Sequence, residues 1–247
     1  MNKEKVDVLG VGFNTMTYSE IITFLEKKEN RTKYICFPDL YNIIRADKDN
    51  FLKSIYLNST LTLPDGKPSQ FFLRKKGYKN ITTISGYWLC KKLFKSELKH
   101  FFYGTSEENL ELMKNNIMKI HPKANVLGYK SPPFVLENEI ESSDLIKKDI
   151  SIIKKLNPDI IWIGISSPKQ DLLMHYYHSN NTGTVMIGVG AVFDYFAGTA
   201  FMGPEWVKKI GLRWFYHLII DYNRYSSRIF YILKNLPGLV IKHSIKK

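Results

Sequence analysis

The chain has 247 residues, enough for one substantial core, or one core and an appendage. Its 44% hydrophobic and 24% charged residues are a globular composition, which excludes disorder over most of the length. The net charge of +13 points to phosphate-rich partners such as nucleotides, nucleic acid or anionic lipid; residues 203–247 alone hold nine Lys and Arg against two acidic residues.

In chain order, short β-rich runs alternate with helical patterns. Val6–Val11 reads as a strand rather than the apolar core of a signal peptide, and a helix follows near Tyr18–Lys28. Lys33–Phe37 is a strand and Leu40–Lys48 a helix. Ser59–Leu63 is a strand that ends at Pro64-Asp65-Gly66. His100–Tyr103 is a strand whose Gly104-Thr105-Ser106 leads into a helix running to about Ile120, with Ser106 or Thr105 as its N-cap. Val126–Tyr129 is a strand, with a helix near Leu145–Leu156. Asp159–Ile165 and Thr184–Val189 are almost continuously apolar, as central parallel strands tend to be. This alternation predicts an α/β, Rossmann-like fold with a mostly parallel sheet flanked by helices. After Gly203-Pro204 the pattern changes: Val207, Ile210, Trp214 and Leu218, then Tyr222, Tyr225, Ile229 and Ile232, recur at helical spacing among basic residues. The expected organisation is therefore an α/β body over 1–202 and a basic, aromatic helical appendage over 203–247.

The two cysteines, Cys36 and Cys90, have neither CxxC spacing nor a histidine partner, and read as buried free thiols of a reducing compartment. His175 and His178 lie three apart on one helix without carboxylates to complete a metal site, so they read as packing or surface residues. No run approaches the roughly 20 apolar residues that span a bilayer. The expected location is cytoplasmic, peripheral on the inner face of the cell membrane.

In an open parallel sheet, ligands gather beyond the C-terminal strand ends. Gly10-Val11-Gly12 after the first run reads as a tight turn. Asp65, before Gly66, is either a turn aspartate or a carboxylate placed to deprotonate a hydroxyl. Ser167 is a candidate N-cap with Pro168 at the first helical position, which puts Lys169 and Gln170 in a first turn suited to phosphate or a base edge. Gly188 and Gly190 permit close backbone approach, and Asp194 is either a cap or an acceptor for ribose or sugar hydroxyls.

Taken in order, PDG at 64–66, YGTSEENLELM at 103–113, LGYKSPPF at 127–134, NPDIIWIGISSPKQD at 157–171 and GVGAVFDYFAGTAFMGPEWVKKIGLRW at 188–214 resemble the WecG/TagA/CpsF glycosyltransferase family. The resemblance covers nearly the whole chain. It implies an inverting transfer, without a bound metal or other cofactor, from a UDP-sugar to a polyprenyl-diphosphate-linked acceptor in surface-polymer synthesis. By analogy Asp65 is the base, and Gln170 and Asp194 match positions associated with the nucleotide-sugar. The family's C-terminal extension docks on the membrane and completes the active site, which agrees with the basic aromatic tail here.

The chain departs from the family pattern at several points. Phe37 and Asp39 stand where Thr and Asn are usual, which brings Asp39 in as a possible partner in the acid–base work. Thr83 replaces an Arg before Ser85-Gly86, Met202 another before Gly203-Pro204, Arg213 a Glu, and His217 a further Arg. Diphosphate contacts then fall to Arg213, Arg224 or Arg228. A homo-oligomer stays open. The alternatives are a family relative acting as a membrane-associated scaffold without full activity, and a basic nucleic-acid-binding protein, although no RRM, KH or zinc-finger spacing supports the second.

Overall fold

The computed structural model describes residues 4–27, 33–178, 184–204, 207, 216, 219 and 222–245. Its centre is a six-stranded sheet of order β4-β3-β8-β7-β5-β6, parallel at every described pairing. The strands are β3 (Lys33–Cys36), β4 (Leu61–Thr62), β5 (His100–Gly104), β6 (Val126–Lys130), β7 (Ile160–Gly164) and β8 (Val185–Gly188). The expected α/β fold is observed.

The single strand expected over Val6–Val11 is instead an antiparallel hairpin outside this sheet. Its arms are β1 (Val6–Val8) and β2 (Val11–Phe13). Leu9 and Gly10 form its turn with φ of 53° and 88°, and two successive left-handed residues reverse the chain where one strand was expected. The first glycine of Gly10-Val11-Gly12 thus serves a tight turn, as read.

Ten α-helices connect and flank the strands among the described residues: α1 (Tyr18–Glu26), α2 (Leu40–Lys48), α3 (Asn50–Asn58), α4 (Gly66–Lys75), α5 (Gly86–Leu93), α6 (Glu107–Ile120), α7 (Asp144–Lys155), α8 (Lys169–Tyr177), α9 (Val192–Ala197) and α10 (Tyr222–Ile245). Several starts carry the caps their sequences call for. Thr17 and Glu20 close a capping box on α1, Ser106 accepts from Asn109 N–H at 3.3 Å on α6, and Ser143 accepts from Ile146 N–H at 3.4 Å on α7.

Side chains of the inner strands alternate between two cores. Tyr34, Cys36, Phe101, Tyr103, Ile161, Ile163 and Met186 enter one; Ile35, Phe102, Ile160, Trp162 and Ile187 enter the other. The first core is covered by α2, α3, α7 and α8, the second by α1, α5, α6 and α9. Adjacent strands β5 and β7 therefore send their following helices, α6 and α8, to opposite faces. So do β7 and β8, which lead into α8 and α9. Such divergence opens a crevice at the C-terminal edge of the sheet.

Helix α10 lies along α2. Leu239 is buried in the first core, and Tyr231, Ile232, Leu236 and Val240 pack against it. Tyr222, placed on the apolar face by spacing, is exposed instead, because the buried stripe is centred on Ile232, Leu236 and Leu239. Both cysteines are buried free thiols, as read. His175 packs edge-on against Phe51 and Tyr34, and His178 against Tyr34, so both are packing histidines. Among the described residues, no helix is long and apolar enough to cross a membrane.

Candidate active site

The crevice at the β5, β7 and β8 ends holds a cleft of about 640 Å³, a size ordinary for a small-molecule site. Thr105 and Ser106 line it from the β5–α6 junction, Gly164, Ile165, Ser166 and Lys169 from β7–α8, and Gly190, Ala191 and Asp194 from β8–α9. Residues 132–135, after β6, close the far side. Thr105 and Ser166 adopt φ of 52° and 72°, left-handed conformations that cost a non-glycine residue about 1 kcal/mol or more and cluster at functional sites.

Several sequence-selected residues meet here. Gln170 is buried. Its Oε1 accepts from Gly190 N–H at 3.0 Å, and its Nε2 donates to Ser167 Oγ at 2.9 Å. A Cβ on Gly188 would stand 3.1 Å from the Gln170 amide and 2.7 Å from Met174 Cε, so a side chain there would push on this brace. Gln170 therefore shapes the Gly188–Gly190 backbone from below. Asp194 does not cap α9, whose N-cap is Ala191. Its Oδ1 accepts from Asn109 Nδ2 at 3.1 Å, which also donates to Thr105 Oγ1, so the carboxylate is held on the cleft wall. Lys169 donates to Val135 O at 2.8 Å and sits over the Phe134 ring.

The expectation for Ser167 needs correcting. Helix α8 begins at Lys169 with Pro168 as N-cap, and the Ser167-Pro168 peptide is cis. The serine therefore sits one residue too early to cap, and its hydroxyl serves Gln170.

Asp65 and Asp39 stand at the other end of the same sheet edge, after β4 and β3. Asp65 is the N-cap residue of α4 but makes no side-chain cap bond, and it is exposed. Next to it, Ile84 N–H donates to Pro64 O at 2.9 Å, and Ser85 N–H donates to the Tyr18 hydroxyl at 2.7 Å. That hydroxyl's pKa is raised chiefly by burial; the Ser85 bond opposes the rise and the Asp65 charge adds to it. Gly86 abuts Val189, so the start of α5 bridges from the Asp65 corner to the β8–α9 loop. Asp39 caps α2 by accepting from Asn42 N–H at 2.9 Å. Its Oδ2 pairs with Arg228 of α10 at 3.2 Å, and that guanidinium also lies 4.6 Å from the Tyr41 ring centroid. Arg228 thus reaches the site edge. Arg213 and the Arg224 side chain fall outside the described residues.

Sequence reasoning missed the 132–135 wall, Thr105 and Ser106 as lining residues, and it did not single out Gly164, Ile165, Ser166 or Ala191. The SPPF run was visible at 131–134, but nothing in a loop of prolines told which cleft it would border. Among the described residues, no three His, Cys, Asp or Glu side chains group to hold a metal.

Over residues 6–247 the sequence matches the Glycosyl transferase WecG/TagA/CpsF family. The chain belongs to this family. It is a glycosyltransferase, and its relatives are named more finely. An N-acetylglucosaminyldiphosphoundecaprenol N-acetyl-beta-D-mannosaminyltransferase of Bacillus subtilis (strain 168) is 27% identical over 188 residues, 74% of this chain and 69% of its own. The enzyme of that name from Staphylococcus aureus (strain NCTC 8325 / PS 47) is 23% identical over 249 residues, covering 98% of this chain and 92% of its own. In this glycosyltransferase two of the substituted positions lie on segments bonded to the strand that leads to Asp65: Phe37 is buried in the second core, and Thr83 sits half-buried beside Ile84. The family and the relatives favour an enzyme of envelope-polymer synthesis over the scaffold and nucleic-acid-binding alternatives.

Proposed function

We propose that this glycosyltransferase moves an N-acetylhexosamine, N-acetylmannosamine on the pattern of its relatives, from a UDP-sugar to a polyprenyl-diphosphate-linked N-acetylglucosamine. The nucleotide occupies the β5/β7/β8 cleft, and the donor sugar extends along the sheet edge toward β3 and β4. Asp65 removes the proton of the acceptor hydroxyl as its oxygen attacks the anomeric carbon. The bond from that carbon to the UDP oxygen breaks on the opposite face, so the anomeric configuration inverts and UDP leaves. The leaving charge is met by backbone N–H groups at the strand ends and by arginines of the 203–247 segment, without a metal.

What carries the reading is one arrangement: an exposed, uncapping carboxylate at the same sheet edge as a nucleotide-sized cleft, in a chain of this family. Gln170 and Gly188 shape the cleft floor, and Asp194 accepts from ribose or sugar hydroxyls. Asp39, already engaged by Asn42 and Arg228, acts chiefly to tie α10 to the site. The protein works from the cytoplasmic face, held at the membrane by its C-terminal segment.

The test is a transfer assay with a panel of nucleotide sugars and a lipid-diphosphate acceptor, with and without EDTA. We expect EDTA-insensitive transfer of an N-acetylhexosamine with inverted anomeric configuration. Retention of configuration, or dependence on a divalent cation, contradicts the mechanism.

A further inference from the structure

Phe134 is the most exposed large apolar side chain among the described residues, at 87%, yet it lines the cleft. A phenylalanine with no apolar cover gains nothing from folding, but the backbone around this one is heavily pinned. Ser131 Oγ donates to Thr105 O at 2.6 Å, Lys169 Nζ donates to Val135 O at 2.8 Å, and Pro132 and Pro133 restrict the intervening dihedrals. The Lys169 ammonium sits over the ring, 4.7 Å from its centroid. One face of the ring is thus backed by a cation while the rest stays open on the cleft side. An aromatic surface held ready in this way, with the ordering cost already met, is what a planar ligand requires.

Which part of the ligand it meets follows from the sheet order. Phe134 follows β6, at the opposite edge of the sheet from β4, which leads to Asp65. The reacting sugar belongs near the carboxylate, so the group left for Phe134 is the other end of the donor. Facing the loop are polar groups, Thr105, Ser106 and Asp194, suited to a ring with a polar edge.

We propose that Phe134 is the platform on which the donor's nucleobase stacks, held in place by Lys169. This rests on the nucleotide-sugar reading above. Nucleobases stack on aromatic side chains strongly enough that truncation to alanine weakens binding about tenfold.

The experiment titrates UDP, UMP and inorganic diphosphate into the wild-type protein and into Phe134→Ala and Phe134→Trp. Phe134→Ala should weaken UDP and UMP by the same factor of about ten and leave diphosphate unchanged. Phe134→Trp should restore affinity, and its added fluorescence should be quenched by UMP. Equal UDP affinity in wild type and Phe134→Ala, with wild type binding well, overturns the platform alone. Failure of the wild type to bind UDP overturns the nucleotide reading, and the platform with it. Because the side chain is exposed, Phe134→Ala should unfold at the wild-type temperature.

Discussion

Asp171 is fully enclosed in the first turn of α8, where Tyr56 OH donates to its Oδ2 at 3.2 Å. Burial pushes its carboxyl up to about 6, against an ordinary 3.8, although bonds from Ser167, Cys36 and Tyr56 oppose the rise. His100 is the mirror case. It accepts from Trp162 Nε1–H at 3.1 Å on Nδ1, which leaves its Nε2 to face Leu93 O as a neutral ring, and burial lowers its pKa to about 4. The signs oppose. The folded state holds the Asp171 proton more tightly than the unfolded chain, so stability from this group falls as pH rises from about 4 to 6, by roughly 3 kcal/mol. The unfolded chain binds the His100 proton first, so that contribution falls as pH drops from 6.5 toward 4, again by about 3 kcal/mol. In the wild type the two nearly cancel. Asp171→Asn should therefore unmask the histidine, and its urea stability should fall below pH 6 more steeply than the wild type's. Parallel profiles for the two proteins would show that Asp171 is not protonated in this range.

At the scale of elements, α10 is held by two kinds of contact, and magnitude decides between them. Arg228 with Asp39 and Lys242 with Asp47 are partly exposed ion pairs, each worth at most about 1 kcal/mol. Leu239 is 4% exposed and seated in the first core, and its truncation should cost about 2–4 kcal/mol. Chemical denaturation should thus find Leu239→Ala far more destabilising than Arg228→Ala; the reverse ranking would mean that charge, not burial, docks the helix. The longer elements were legible in sequence because periodicity and caps agree. Ser106 with its acidic first turn marks α6, and the apolar runs mark β7 and β8. Helices α3, α4, α5 and α9 were not assigned: α3 follows α2 after the single residue Asp49, α4 and α5 open on the poor helix formers Gly66 and Gly86, and α9 has only six residues. The β1–β2 hairpin was hidden because a Leu-Gly turn inside an apolar run looks like strand. The site was half legible. Strand-end glycines and Asp194 follow from topology, whereas the 132–135 wall and the role of Gln170 beneath Gly190 depend on contacts between segments distant in sequence.

The whole molecule presents an α/β body and a helix whose outward face is unusually apolar. Phe230, Leu233 and Ile241 of α10 are each at least 60% exposed, beside Lys234 and Lys242. We propose that this face, in a segment of net charge +7, docks on an anionic leaflet, where each basic residue near the surface contributes about 1 kcal/mol. Sedimentation with phosphatidylglycerol vesicles should pull down the wild type. Replacing all three apolar residues by serine should weaken that binding at least tenfold while the fold is kept, since burial of one such side chain is worth roughly 1.5–3 kcal/mol. Vesicle binding unchanged by the triple substitution would move the docking surface elsewhere. The central claim joins the two ends of the sheet edge: nucleotide in the cleft, base at Asp65. Its most direct measurement compares UDP affinity and sugar transfer in Asp65→Asn. The account predicts unaltered UDP affinity with transfer reduced at least a hundredfold, the scale of a lost general base. Near-normal transfer by Asp65→Asn would contradict it.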